Sequence, residues 1–592
     1  MNVLTEAANP IMKHLAALFE SYPQFATYYT TVVRYVFVAL TLFILIKSIR
    51  SLLASQNPSE IWAYLALPDG SHQPLRHWEN VIGRATSADI VIDIMTVSRN
   101  HGTLVRDEDG NWKYNDLGSK GGTLINGLSV YQSTPVEMGD TITMGGVECT
   151  LVPASLKEKI TNREMRRRQT KPFSPWVSLI ALTIFQILTC IQFIAARGSS
   201  LPMLVLVCFA LFTVVMWAYC IVMRSMHRTA FEMEMIAFYL CTINLSIVAS
   251  SAPESIFKQF MAIILGMGLF VVLCWYLRDL SRALRIRKLL VLLSIGLLLI
   301  NIVFGQATNG SVNWVHLGGM NLQPSELVKI AFIFIGSATL DELYEKKNLS
   351  MFMLFSIFCL GSLAVMNDFG TALIFFATFL VMSFLRSGEF GKLVLVLGVC
   401  GLGGLMAIRF VPHISSRFAS WGHIWDYPDD QGFQQTRALS GGSSGGLLGL
   451  GAGDGWVHNI TAVDTDLVFC MVQEEWGLIT AILIVVSLLT LCLFAVRSIR
   501  AGRSAYYTIA ACSATSLIIV QTMLNVLGSV DILPFTGVTL PFTSNGGTSM
   551  LASWGLLAFL KAADTRQNAS IAVASTDETD VDEFIEELET GQ

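Results

Sequence analysis

Charged residues are scarce in this sequence. They make up 14% of its 592 residues, against roughly 25% in ordinary soluble domains. Apolar residues make up 53%, and the mean hydropathy is +0.56. This composition excludes a disordered chain, a collagen-like repeat and a wholly soluble enzyme. It predicts an integral membrane protein with soluble parts.

The eleven cysteines show no pairing pattern. Ten lie in or beside apolar runs, and Cys149 lies in a polar region. Such a scatter is typical of small buried residues, so neither a disulfide framework nor a metal site is predicted. A cleavable signal peptide is not predicted either, because the first apolar run begins near Thr31 and is too long for one.

Long apolar runs predict about thirteen membrane spans, because a helix needs roughly 20 apolar residues to cross the hydrocarbon core. One run, at 32–53, precedes a polar block at 55–172, and two more follow at about 174–197 and 201–224. The remaining ten begin near 233, 256, 286, 325, 351, 370, 392, 467, 505 and 547. The predicted fold class is a multi-pass α-helical membrane protein with a soluble β-domain.

Basic residues are concentrated in alternate loops between these runs, at 157–171, 224–228, 278–288, 344–347, 497–503 and 561–566. Because cytoplasmic loops carry the excess of Lys and Arg, the polar block and the C-terminus are predicted to be cytoplasmic. The N-terminus and the loop from Val411 to Asp466 are predicted to lie outside. The arginines at 166–168 are interpreted as a topology anchor, with docking of anionic lipid or acidic protein as the alternative.

Residues 60–153 alternate apolar and polar residues in short runs broken by turn signals, which predicts a β-sandwich. Four motifs follow in order: Gly83-Arg84, Ser98-Arg99-Asn100-His101, Asp116-Leu-Gly-Ser and Thr123-Leu-Ile-Asn126-Gly127. They resemble a forkhead-associated (FHA) domain, a phosphothreonine-binding module. The resemblance implies that Arg84 and Ser98 hold the phosphate. Arg99 and Asn126 would hold the peptide backbone, and His101 would be a structural loop residue.

One position departs from the FHA pattern. The family usually has Asn where this sequence has Gly121, which removes a contact to the bound peptide, and a purely structural sandwich is the alternative interpretation. A further hypothesis concerns the acidic tail, where Asp582 stands three residues after Thr579. Phosphorylated Thr579 would dock on the FHA domain of its own chain at a raised effective concentration.

Polar motifs collect at the predicted outer ends of the last ten spans. In chain order they are Asn313-Trp314-Val-His316, Gln323-Pro-Ser-Glu326-Leu-Val-Lys329, Asn367-Asp368-Phe-Gly370-Thr371, Arg417, Arg437, a glycine stretch at 445–453, Asp464-Thr465-Asp466, Glu474-Glu475, Pro534-Phe-Thr-Gly537 and Leu540-Pro-Phe. Ionisable groups at the edge of a span are costly unless paired or hydrated, so they usually mark a site. The pattern predicts an outward polar cavity for a phosphate-bearing lipid, with cations at the phosphates and one carboxylate for proton transfer.

Several of these residues also have a structural interpretation. Glu326 and Lys329 are spaced as an ordinary i, i+3 helix pair, which is as good an explanation as a site. Glu474 and Glu475 are interpreted as paired inside the bundle. Asp466 is the hardest to explain structurally, with a helix N-cap as the alternative.

The same motifs resemble the SEDS family (shape, elongation, division and sporulation; the FtsW- and RodA-like proteins) over roughly 233–562. The resemblance implies a ten-helix enzyme of the bacterial cytoplasmic membrane that polymerises lipid II into glycan strands together with a class B penicillin-binding protein. It implies an inverting displacement with Asp466 as general base. For the diphosphate it implies the following residues: Arg417 and Lys329 as stabilising cations, Glu326 and Gln323 as partners that orient Lys329, and Arg437 as a weaker candidate. A divalent cation at the diphosphate is left open, and no nucleic-acid partner is predicted.

The predicted layout has six parts. They are an N-terminus and first span (1–54), an FHA-like sandwich (55–155), a basic linker (156–173), two extra spans (174–224), a SEDS-like ten-helix domain (225–562) and an acidic tail (563–592).

Some positions depart from the SEDS pattern. The segment before the predicted base usually reads Pro-Glu-Ala-His-Thr-Asp, and here Ala462 and Asp464 replace its Glu and His. Asn367 replaces a usual Pro, and Asn545 replaces a usual Tyr. The alternatives are a flippase for the lipid-linked precursor and a non-catalytic scaffold of the cell-wall machinery.

Overall fold

The structure is a computed structural model of the chain. It describes residues 2–54, 61–86, 88–106, 110–130, 133–155, 157–158, 160–161, 172–308, 311–317, 320–340, 346–387, 390–499, 505–564, 566 and 568–572. Arginines 166–168 and the tail that contains Thr579 lie outside these residues, so the interpretations placed on them stay predictions.

A two-sheet β-sandwich follows the first two helices, as the alternating pattern predicts. Its strands are β1 Ala63–Ala66, β2 His72–Leu75, β3 Glu79–Gly83, β4 Ile90–Val91, β5 Gly102–Arg106, β6 Trp112–Asp116, β7 Thr123–Ile125, β8 Leu128–Ser129, β9 Thr134–Val136, β10 Thr141–Met144 and β11 Val147–Pro153. One sheet has the order β2-β1-β11-β10-β7-β8 and the other β4-β3-β5-β6-β9. Inward-facing side chains such as Leu104, Tyr114 and Ile142 form a separate core between the sheets.

The other described helices and strands belong to the bundle. They are α1 Asn2–Ser21, α2 Pro23–Ala54, α3 Trp176–Arg197, α4 Met203–Ser225, α5 Glu232–Ser251, α6 Ile256–Tyr276, α7 Leu280–Phe304, β12 Gln306–Thr308, β13 Ser311–Leu317, β14 Met320–Leu322, α8 Pro324–Leu340, α9 Lys346–Val365, α10 Phe369–Ser387, α11 Phe390–Phe410, α12 Pro412–Ser420, α13 Phe433–Ser444, α14 Val468–Ile499, α15 Ala505–Ser529 and α16 Gly547–Ala562. Each of the thirteen predicted spans corresponds to one of these helices.

Ten of the described helices are long and apolar enough, by length and composition, to cross a membrane: α2 to α7, α10, α11, α14 and α15. The other three predicted spans are shorter. α8 has 17 residues and α16 has 16, and the apolar part of α9 is confined to Ser350–Val365. α16 is nevertheless buried almost throughout, because it packs into the bundle against α6.

Two of the helices that precede the SEDS-like domain, α2 and α3, pack against the central helix α5. Phe185 of α3 stacks on Trp476 of α14, with ring centroids 5.4 Å apart, and Phe37 of α2 meets the same ring at 4.8 Å. The Gln186 side chain donates to the Thr242 hydroxyl of α5 at 2.9 Å. The two additions are therefore part of one packed bundle.

Helix α14 is broken at Gly477, where φ is 86° and ψ is 162°. The free backbone groups around the break bond to the glycine stretch: Leu478 N–H donates to Gly446 O at 3.0 Å, and Gly451 N–H donates to Glu475 O at 3.0 Å. A Cβ at position 477 would lie 2.4 Å from Leu447 O, so a side chain does not fit there. The glycines thus let the backbones of the glycine stretch and of α14 approach closely.

Candidate functional site

A cavity of about 600 Å³ opens where the polar motifs meet. Its walls come from β13, the first turn of α8, the start of α10, helix α12, the loop before α14 and segment 533–539. Four of the predicted residues line it: Gln323, Glu326, Arg417 and Asp466. The fold therefore joins residues that are up to 143 positions apart in the chain.

Asp466 lies in the loop that leads into α14 and is half-buried. Its backbone is fixed on both sides: its N–H donates to Ala462 O at 2.9 Å, and its C=O accepts from Asn525 Nδ2 at 3.0 Å. In the described part of the chain, no N–H of the first turn of α14 donates to its carboxylate. The N-cap alternative is thus not supported.

Burial raises the pKa of Asp466 to about 7, although the Thr465 hydroxyl and the Arg417 guanidinium act in the opposite direction. The nearby carboxylates of Asp464 and Asp368 raise this pKa further. A carboxyl group that titrates near neutrality is suited to accept a proton during a reaction.

Arg417 lies on α12, half-buried against segment 533–539. Its Nη1 donates to Phe535 O at 3.3 Å, and the guanidinium lies 5.9 Å from the Phe535 ring centroid. Burial lowers the pKa of Arg417, while Asp466 and Asp368 raise it. Among the described residues that line the cavity, Arg417 is the one Lys or Arg, against three carboxylates.

Lys329 does not line the cavity. It is 1% exposed, and its Nζ lies 2.6 Å from Glu326 Oε1 and 3.3 Å from Gln521 Oε1. Glu326 reaches the cavity wall, and its buried Oε2 has no hydrogen-bond partner among the described residues. The i, i+3 pair is therefore real, and its buried geometry does not support direct contact between Lys329 and a diphosphate.

Asp368, to which the sequence assigned no separate role, also lines the cavity. One carboxylate oxygen accepts from Thr371 N–H at 3.0 Å, and the other accepts from the Asn313 side chain. Asn313 lies on the three-stranded sheet β12-β13-β14, which the sequence did not predict. Burial raises the pKa of Asp368.

The remaining acidic and basic candidates lie elsewhere. Both carboxylate oxygens of Glu474 accept backbone N–H groups, from Trp456 and Val457 at 3.0 Å each, so this residue is used inside the bundle, as expected. Arg437 donates to Pro428 O at 2.8 Å and lies 3.7 Å from the Phe433 ring centroid. It does not line the cavity, so its assignment as a diphosphate contact stays a prediction.

The predicted phosphopeptide face lies on the loops of the sandwich. Ser98 Oγ accepts from Lys120 N–H at 3.0 Å, beside the half-buried Arg84 and the exposed Arg99. Both ends of the Asn126 amide are already used inside the domain, by Asp140 and Thr141 N–H. The Asn126 side chain therefore stabilises a turn of its own domain.

Two loop residues explain the shape of this face. His101 is fully buried, and its Nδ1 accepts from Ser98 N–H at 3.0 Å, so its structural role agrees with the sequence interpretation. A Cβ at Gly121 would lie 2.9 Å from both Gly145 Cα and Thr96 O. A side chain such as Asn at this position would therefore clash with the backbone of the neighbouring loops.

Comparisons with known proteins agree with this architecture. The family model for FtsW/RodA/SpoVE cell cycle proteins matches residues 219–569, and the FHA domain model matches residues 80–145. The probable peptidoglycan glycosyltransferase FtsW of Moranella endobia is 32% identical over 281 residues, which cover 45% of this chain and 72% of that protein. Stage V sporulation protein E of Bacillus subtilis is 30% identical over 46% of this chain and 77% of its own length. Peptidoglycan glycosyltransferase RodA of Mycobacterium tuberculosis is 27% identical over 51% of this chain and 69% of its length.

The first family model spans more than half of the chain, and it covers the bundle that carries the cavity. This chain belongs to the FtsW/RodA/SpoVE family and carries an FHA domain in front of the family's bundle.

Proposed function

We propose that the chain is a peptidoglycan glycosyltransferase that polymerises lipid II at the outer face of the bacterial cytoplasmic membrane, together with a class B penicillin-binding protein. The observation that carries this proposal is that Asp466 and Arg417 line one cavity, close enough for the guanidinium to act on the carboxylate electrostatically. A proton acceptor and a fixed cation are the two groups that transfer of a sugar from a diphosphate requires. Relatives that bear this enzyme name support it.

The reaction is a single displacement. The 4-hydroxyl oxygen of the acceptor sugar attacks the anomeric carbon of the donor, and the bond from that carbon to the diphosphate oxygen breaks with inversion. The hydroxyl proton passes to the Asp466 carboxylate. The polyprenyl diphosphate leaves with its negative charge near the Arg417 guanidinium, which stabilises the departing oxygen.

A protein-bound metal site is not part of this proposal. Among the described residues, no group of three or more His, Cys, Asp or Glu side chains is placed to hold a metal ion. Glu326, one of the cavity carboxylates, is bonded to Lys329. No step is therefore assigned to a metal ion.

The test is polymer formation from labelled lipid II by the full-length protein with its penicillin-binding partner. Asp466→Asn should lower the rate by about 10²- to 10⁴-fold, the usual contribution of a general base. Asp429→Asn, on an exposed loop, is the matched control and should have no effect. Full activity of Asp466→Asn would refute the proposal.

The same preparation separates the alternatives. Movement of lipid II between leaflets that survives Asp466→Asn, without polymer, would indicate a flippase. Absence of both activities in the wild-type protein would indicate a scaffold.

We infer that the FHA domain regulates the enzyme through phosphothreonine. The domain contacts the bundle directly: Arg386 Nη1, at the end of α10, lies 3.9 Å from Glu79 Oε2 on β3, and both side chains are mostly buried. β3 ends at Gly83, beside Arg84, and α10 begins beside Asp368 in the cavity. The FHA domain and the cavity thus contact opposite ends of one helix.

A synthetic peptide of residues 575–584 with phosphorylated Thr579 is the probe for this regulation. It should bind the full-length protein, lose binding in Arg84→Ala and alter the polymerisation rate. Arg386→Ala should keep the binding and lose the change in rate. An unphosphorylated peptide that binds equally well would contradict phosphothreonine recognition.

A further inference from the structure

Asp464, two residues before Asp466, joins the loop to two distant parts of the bundle. Its Oδ2 accepts from Ser251 Oγ, at the end of α5, at 2.9 Å. The same oxygen accepts from Asn545 Nδ2, in the loop before α16, at 2.8 Å. Ser251 and Asn545 are 294 positions apart in the sequence, so this one carboxylate connects elements that no local pattern brings together.

Backbone contacts continue the same connection. Asn545 N–H donates to Asp464 O at 2.8 Å, and Ser544 Oγ donates to Thr465 O at 2.6 Å. Two consecutive residues of one loop are thus bonded to two consecutive residues of the other. Together with the Asn525 contact at Asp466 O, these bonds fix the backbone of the loop immediately before and at Asp466.

Asp464 itself is not placed to react. It is absent from the residues that line the cavity, whereas Thr465 and Asp466 are present. Its bonded oxygen already serves two donors, and hydrogen bonds to an ionised carboxylate are stronger than those between neutral groups. A charged acceptor with two donors is suited to holding a loop in place.

We propose that Asp464, bonded to Ser251 and Asn545, is a positioning residue that aims the Asp466 carboxylate into the cavity. The proposal rests on the proposed function, in which Asp466 is the general base. Misplacement of a reacting group by about 1 Å can lower a rate by roughly 10²-fold. The orientation of the loop is therefore as important to turnover as the presence of the carboxylate.

Asp464 also acts electrostatically on Asp466. This effect gives a measurement that distinguishes a positioning role from a purely structural one. The charged groups that face Asp466 are Arg417 from α12, Asp368 from the start of α10 and Asp464 on its own loop, while Asn525 and Gly537 contribute no charge. The negative charge of Asp464 favours the protonated form of Asp466. Removal of that charge should lower the pH at which Asp466 becomes a base.

The experiment measures polymer formation against pH for Asp464→Asn, Asp464→Ala, Asn545→Ala and the double variant Asp464→Ala/Asn545→Ala. Asp464→Ala should lower the rate by about 10- to 100-fold, and the double variant should be no worse, because the two residues share one contact. Asp464→Asn, which keeps the shape, should move the midpoint of the pH profile to lower pH. Asp430→Asn, on an exposed loop, is the control.

A wild-type rate and an unmoved midpoint in Asp464→Asn would overturn the proposal, as would strictly additive effects of the two alanine variants. A rate that falls equally at every pH, with a lower melting temperature, would also overturn it in favour of a folding role. Failure of the proposed function is a distinct result: there, the wild-type protein makes no polymer or Asp466→Asn remains active.

Discussion

The bundle contains two clusters of charged side chains, one buried and one largely half-buried, that differ in their pairing. The C-terminal cluster comprises Glu232, Glu234, Lys561, Asp564 and Arg566, and the cavity cluster comprises Glu326, Asp368, Arg417 and Asp466. In the C-terminal cluster every carboxylate has a cation within 2.9 Å. In the cavity cluster Asp466 and Asp368 have no salt bridge among the described contacts, and they rely on neutral donors.

The difference in pairing is accompanied by pKa shifts of opposite direction in the two clusters. In the C-terminal cluster Arg566 holds the pKa of Asp564 below its ordinary value, against the effect of burial. In the cavity cluster burial raises the pKa of Asp466 and of Asp368. Direct pairing keeps a buried group ionised, and loss of one partner of such a pair destabilises the fold. A buried carboxylate without a paired cation instead changes its protonation easily, which a proton acceptor requires.

The largest expected effect comes from breaking the paired cluster. Arg566→Met leaves Glu232 and Asp564 buried without their cation, and loss of one partner of a buried pair typically costs about 3–5 kcal/mol. We expect a clear drop in the melting temperature of the full-length protein in detergent. Asp466→Asn should show no such drop. Equal melting temperatures for the Arg566→Met variant and the wild-type protein would show that the C-terminal cluster does not hold the fold.

The second-largest expected effect is the change of polymerisation rate and of stability with pH. The rate of polymer formation should rise about tenfold per pH unit and level off above about pH 7, because Asp466 must be ionised to accept a proton.

The same raised pKa makes stability fall as pH rises from about 4 to 7, since the folded protein keeps a proton that the unfolded chain loses. Asp564 has the opposite sign: its contribution is present above the ordinary Asp pKa of about 4 and is lost as pH falls through its lowered pKa.

Rate and melting temperature measured across pH 4 to 8 check both signs. Asp466→Asn should weaken the loss of stability between pH 4 and 7. A rate profile with its midpoint near pH 4 would show that Asp466 is an ordinary exposed carboxylate.

Much of this architecture could be predicted from the sequence. Apolar runs identify the helices, and period-two alternation identifies the sandwich, because both patterns are local. Motif resemblance also selected Asp466, Arg417, Glu326 and Gln323, which the fold brings to one cavity. The Glu326–Lys329 pair was visible as helix spacing, although only the structure shows that this spacing removes Lys329 from the cavity.

The features that could not be predicted from the sequence depend on contacts between distant segments. The bond between Asp464 and Asn545 crosses 81 positions, and the bond between Glu232 and Arg566 crosses 334. No periodicity or spacing reports such a pair in a single sequence. The sheet β12-β13-β14, whose strands are three to seven residues long, was also missed.

The smallest expected effect concerns Arg437, which the sequence offers as a diphosphate contact and which does not line the cavity. Arg437 lies between α11 and α14, as Arg417 does, but its ion pair with Asp429 at 3.4 Å is 38% and 88% exposed. Exposed pairs contribute less than about 1 kcal/mol, so Arg437→Met should leave both the melting temperature and the rate of polymer formation near wild type. Arg417→Met is the matched comparison and should lower the rate sharply, because it removes the one Lys or Arg among the described cavity-lining residues. Similar losses of rate in the two variants would mean that the loop carrying Arg437 closes over the cavity when the diphosphate binds, and that the cavity cluster then gains a second cation.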